Sequence, residues 1–85
     1  MLPALVGGTT EEAREYLSRR YATEFTTHAI ERYCLVGSSS QCVERVAEYV
    51  AAGAQHVVFH PAVEPAGLHR QVELLAEVAY AAAPR

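Results

Sequence analysis

His56 and His60 stand four positions apart in the run His56-Val57-Val58-Phe59-His60, and two imidazoles at that spacing invite a shared metal ion. The β-branched and aromatic residues between them predict a strand. Four residues at ~3.3 Å each then place the rings on one face but roughly 13 Å apart. One ion needs its ligands within about 2 Å, so this pair builds no metal site. His60, followed by Pro61 at the carboxyl end of its strand, stays a candidate for facing a ligand. Gly37-Ser38-Ser39-Ser40 is the second candidate, because a strand-to-helix turn rich in hydroxyls and free N–H groups can cradle an anion. The bland reading of the same turn is that Ser38 and Gln41 form a capping box and satisfy their own helix. Gly7-Gly8-Thr9 matches neither of the two common phosphate-loop patterns. Cys42 opens a helix, where a thiol pKa can fall, yet no neighbouring His or acid is arranged to activate it.

The elements that position these groups follow from periodicity and caps. Thr9 and Glu12 fit a capping box opening a helix that should run to about Tyr21, with Ala13 and Leu17 on its inner face. Residues 22–27 form a polar connector, and Thr27 is expected to cap a short turn through Ile30 and Glu31. Tyr33-Cys34-Leu35-Val36 is a buried strand stopped by Gly37. From Ser38 to Ala52, Val43, Val46, Ala47 and Val50 recur at helical spacing, and Gly53 ends that helix. Residues 55–61 give the next strand, with Pro61 stopping it. Pro65 opens the last helix, whose apolar stripe is Leu68, Val72, Leu75 and Ala79. A short strand at the N-terminus is optional in this scheme.

Strand, helix, glycine, strand is the pattern of a βαβ unit with parallel strands. Residues 1–85 are therefore expected to form a single α/β domain of two or three parallel strands and about three helices. Parallel strands are normally covered on both faces, which so few helices should not manage alone. Neighbouring copies or a complementary subunit are the expected completion.

Composition narrows the function classes. With 51% hydrophobic residues, the 85-residue chain is not a disordered segment. A net charge of −3 argues against nucleic acid or an anionic membrane as the main partner. Asp, Asn, Lys and Trp are absent, and without Asp many metal, magnesium-phosphate and triad sites cannot be built. No apolar run nears the roughly 20 residues that span a bilayer. Met1–Val6 lacks the basic start of a secretory signal, and the two cysteines lack C-x-x-C spacing, so a cytoplasmic protein with free thiols is expected.

The block from Tyr33 to Pro61, with its Gly37-Ser38-Ser39-Ser40-Gln41-Cys42-Val43 turn, its Glu44-Arg45-Val46-Ala47-Glu48-Tyr49 helix and its Ala52-Gly53 stop, resembles the C-terminal end of the bacterial luciferase-like flavin- or F420-dependent oxidoreductase family. Thr10-Glu11-Glu12-Ala13-Arg14 is similar to the helix that precedes this block in many members. Ser39 stands where the family often has Pro. The resemblance implies the last βα units of a (β/α)₈ barrel and FMN or F420 as cofactor, most of whose contacts would lie in barrel parts outside this chain; the turn Gly37, Ser38, Ser39, Ser40 and the strand-end His60 singled out above are then the candidate cofactor contacts. It carries over no catalytic residue. The expected function is then a truncated or split oxidoreductase module, not catalytic alone. The alternatives are a non-catalytic self-assembling protein or a small-ligand carrier, with a homo-oligomer or a complementary barrel subunit as partner.

Overall fold

Thr9 and Ser38 each turn the chain from a strand into a helix by the same device. The side chain of the cap accepts from the backbone N–H three residues on, while Glu12 or Gln41 reaches back to the cap's own N–H. The computed structural model describes residues 2–54 and 57–83. Its order is β1 (Leu2–Val6), α1 (Thr10–Tyr21), α2 (Thr27–Tyr33), β2 (Leu35–Gly37), α3 (Ser39–Ala51), β3 (Phe59–Pro61), a 3₁₀ turn (Pro65–Gly67) and α4 (Leu68–Ala82).

Three parallel strands form the sheet in the order β2-β1-β3. The optional N-terminal strand is in fact the central one, and Ala4 at its middle is completely buried. Alternation along β1 divides the core. Ala4 and Val6 point to one face and pack with Leu35, with Cys42 and Val46 of α3, and with Leu75, Val78 and Ala82 of α4. Leu5 points to the other and packs with Ala13 and Leu17 of α1, Ile30 of α2, Cys34 and Ala62.

Among the described residues four helices thus cover both faces of a small sheet, which corrects the expectation that the chain could not do so unaided. The difference is α2, a two-turn helix in place of an isolated turn, capped by Thr26 rather than Thr27. A contiguous arc of a (β/α)₈ barrel keeps consecutive strands side by side with its helices on the outside. Here β1 lies between β2 and β3, and the helices divide between two faces.

The last helix is also turned from its expected face. Gln71, Leu75, Val78 and Ala82 are buried, whereas Leu68 and Val72 are 45% and 51% exposed and Ala79 is exposed as well. The reason lies at the end of β1. Backbone groups of even-numbered β1 residues bond toward β3: Leu2 N–H donates to Val58 C=O, and Ala62 N–H donates to Ala4 C=O. At Val6 the chain after β3 has turned away, so both Val6 groups on that side need another partner. The Gln71 amide supplies it. Val6 N–H donates to Oε1 at 2.7 Å, and Nε2 donates to Val6 C=O at 3.2 Å.

Arg45 performs a similar service at the end of α2. Its guanidinium donates to the carbonyls of Glu31 and Arg32 at 2.9 and 2.7 Å and to the Tyr49 hydroxyl at 3.3 Å. A cation on orphaned C-terminal carbonyls is favourable both as hydrogen bonding and against the helix dipole. Gly53, at φ +101°, then closes α3 in a conformation that side chains rarely adopt.

Candidate functional site

The Gly37–Ser40 turn sits at the carboxyl end of β2, next to the end of β1, because Val6 pairs with Gly37 and Gly7 N–H donates to Gly37 C=O. Its capping box is closed: Ser38 Oγ accepts from Gln41 N–H at 3.2 Å, and Gln41 Oε1 accepts from Ser38 N–H at 2.9 Å. Gly37 has φ +130°, and a Cβ there would lie 2.5 Å from Gln41 Oε1. The glycine is therefore explained by the cap itself. Ser38 and Gln41 spend their polar groups on their own helix, while Ser39 and Ser40 are exposed on its first turn.

His60 lies elsewhere. It pairs with Pro3 in the sheet, so its side chain points to the α1 side, opposite to Ala4 and Val6. Gly37 is level with Val6 and two strands away. Two strand spacings across and three residues along put the two candidates roughly 14 Å apart. The structure does not bring His60 and the serine turn into one site.

A groove of about 580 Å³ runs past His60 between α1 and the segment after β3, lined by Tyr16, Arg19, Arg20, Glu64 and Leu68 among others. Arg19 is bound to Glu64 at 2.6 Å, and the Arg20 guanidinium lies 5.5 Å from the centre of the Tyr21 ring. Both cations are thus engaged within the chain. A half-buried imidazole in such a groove can accept or donate one hydrogen bond to a bound molecule. No described side chain hydrogen-bonds to it as a base–orienter pair would require. His56, its sequence partner, lies outside the described residues. Among the described residues, no group of three or more His, Cys, Asp or Glu side chains could hold a metal ion.

Both cysteines are buried and free. Cys34, expected within a strand, is the residue between α2 and β2 and belongs to the α1/α2 side of the core. Cys42 is on α3, on the opposite side, with its Sγ 3.7 Å from the Gly37 carbonyl oxygen as a weak donor. Burial pushes both thiols above the ordinary cysteine pKa, and the Arg45 charge offsets only part of this at Cys34. A thiol held protonated in a core is a poor nucleophile. The helix N-terminus that could have activated Cys42 is outweighed by desolvation.

Sequence reading missed Gln71 and Arg45, the two side chains that complete the backbone bonding of the site's scaffold. A polar residue one position off an apolar stripe is a faint signal for the first. For the second there was none, because its acceptors lie thirteen and fourteen residues away in sequence. No helix among the described residues is long and apolar enough to cross a membrane. Compared with protein-family models, with curated proteins and with solved structures, the chain matches none.

Proposed function

We propose that this protein is a self-assembling interaction module that uses the outer face of α4 to bind a second copy of itself. The observation that supports this most is the stripe Leu68, Val72, Ala76 and Ala79, which lies beside the buried stripe and is left facing out by the inward turn of Gln71. Its alanines let two helix backbones approach closely, while Leu68 and Val72 supply apolar area. The chain measures 40 × 26 × 19 Å and exposes 5739 Å². A compact monomer of this mass exposes about 5,000 Å². The chain therefore exposes more surface than a compact monomer of its mass.

Strand addition at β3 fits less well. Backbone groups of His60 and Ala62 point inward to β1, so those of Pro61 face the outer edge of β3. Proline has no N–H to offer an incoming strand there. Completion of the sheet by a barrel subunit at this edge is thereby disfavoured.

The split flavin- or deazaflavin-oxidoreductase reading is supported by the resemblance over residues 33–61, which fold as the strand–helix–strand succession β2–α3–β3. It asks a cofactor to bind at a turn already closed by its own cap and at a histidine some distance from it. One experiment addresses both readings: native mass spectrometry of the purified chain, alone and with FMN or F420. A cofactor-free dimer that becomes monomeric in the Leu68→Glu/Val72→Glu variant supports assembly through α4. A monomer at micromolar concentration overturns it. A stoichiometric flavin adduct favours the oxidoreductase module instead.

A further inference from the structure

On the α1/α2 side of the sheet, between the last turns of α1 and the short helix α2, lies an open cavity of about 620 Å³. Its lining carries no charge: Pro3, Leu17, Phe25, Ala29, Ile30 and Cys34 form the interior, and Tyr21 and Tyr33 complete it. Leu17, Ile30 and Cys34 are buried core residues, whereas the two tyrosines are among the most exposed large side chains of the chain. The guanidiniums of Arg20 and Arg32 lie 5.5 and 5.8 Å from the Tyr21 and Tyr33 ring centres. Neither arginine lines this cavity; each contributes to a different groove. The two arginines thus brace the rings from neighbouring grooves.

We propose that this cavity is a binding site for a small, neutral, aromatic molecule of one or two rings. The volume falls within the range of about 300–1,000 Å³ typical of small-molecule sites, which are likewise mostly apolar and aromatic-lined. The lining offers no charged side chain to pair directly with an ionic ligand. A flat apolar body meets the Tyr21, Phe25 and Tyr33 rings, for which stacked or edge-to-face contact is favourable. A partner helix fits poorly, because α2 has only seven residues and its wall is about 10 Å long, two turns of a helix. The proposal is independent of assembly through α4, because no residue of its exposed stripe lines this cavity.

The test uses the neutral fluorophore N-phenyl-1-naphthylamine with the full chain. Saturable enhancement at one probe per chain is expected, together with shifts of the Leu17 and Ile30 methyl resonances while those of Val46 and Val78 stay in place. Ala29→Phe, which fills the cavity from α2, should weaken binding at least tenfold. Leu68→Glu/Val72→Glu should leave it unchanged even where it abolishes the dimer. Non-saturable enhancement, or shifts confined to Val46 and Val78, overturns the site. So does a probe affinity that survives Ala29→Phe or disappears with the α4 double variant. The methyl shifts are read on the unsubstituted protein, so they decide the matter even if Ala29→Phe fails to fold.

Discussion

Replacing Gln71 by leucine should be among the most damaging single changes in this protein, although it makes the helix more hydrophobic. Gln71 is 4% exposed, and its amide is bonded to both backbone groups of Val6, itself 3% exposed. Leucine would leave a buried N–H and a buried C=O without partners. At about 1–3 kcal/mol for each unsatisfied group, offset in part by the gain from burying leucine, the net loss is about 2–4 kcal/mol. A domain of this size loses about 4–8 °C of melting temperature per kcal/mol, so a fall of roughly 10–30 °C is expected by calorimetry at fixed protein concentration. Gln71→Glu separates hydrogen bonding from packing. An ionised carboxylate accepts from Val6 N–H but faces Val6 C=O with no proton to give; the protonated acid can do both. The folded state of that variant therefore holds the introduced carboxyl protonated and raises its pKa above the unfolded value near 4.3. A raised pKa means that the stabilisation is full below the unfolded value and is lost as pH rises through the folded one. Relative to wild type, Gln71→Glu should be closer in stability near pH 4 and furthest from it near pH 8. A Gln71→Leu protein within about 0.5 kcal/mol of wild type, the range of ordinary surface changes, would refute the reasoning, as would a pH-independent deficit in Gln71→Glu.

Arg45→Met removes the cation from the end of α2 and should cost about 1–2 kcal/mol, read as a lower denaturant midpoint with an unchanged slope. Ser38→Ala breaks one half of the α3 capping box and should cost about 1 kcal/mol, while Ser39→Ala should cost much less if the turn serves only its cap. Cys34 and Cys42 should react with a thiol reagent only as fast as the protein opens, so mild denaturant should accelerate both; rapid labelling of either thiol in the native protein would contradict their burial. If α4 joins two copies, the melting temperature should fall on dilution from micromolar to nanomolar concentration, and a constant value would count against the dimer.

The parts of this fold that were legible in the sequence are those whose partners are local. Thr9 with Glu12 and Ser38 with Gln41 are three residues apart, so their boxes and the starts of α1 and α3 follow from the sequence. Gly53 is legible for the same reason. The centrality of β1 was not, because Leu2–Val6 looks the same at an edge as between two neighbours; only the pairing of Ala4 with both Leu35 and Pro61 decides it. That pairing also explains why α4 misleads. By hydrophobicity alone, the all-apolar stripe Leu68, Val72, Leu75 and Ala79 should face the core. The sheet instead presents two unpaired backbone groups at Val6, and satisfying both outweighs the difference in apolar area between one stripe and its neighbour. One glutamine sixty-five residues away from its acceptor turns the helix, and the same turn carries Leu68 and Val72 outward. The end of the central strand and the proposed assembly face are two consequences of a single bidentate contact. A Gln71→Leu variant that still folds is therefore free to rotate α4 toward the more apolar stripe. Such a rotation would bury Leu68 and Val72 and weaken self-association, without any change to the residues of the outer face.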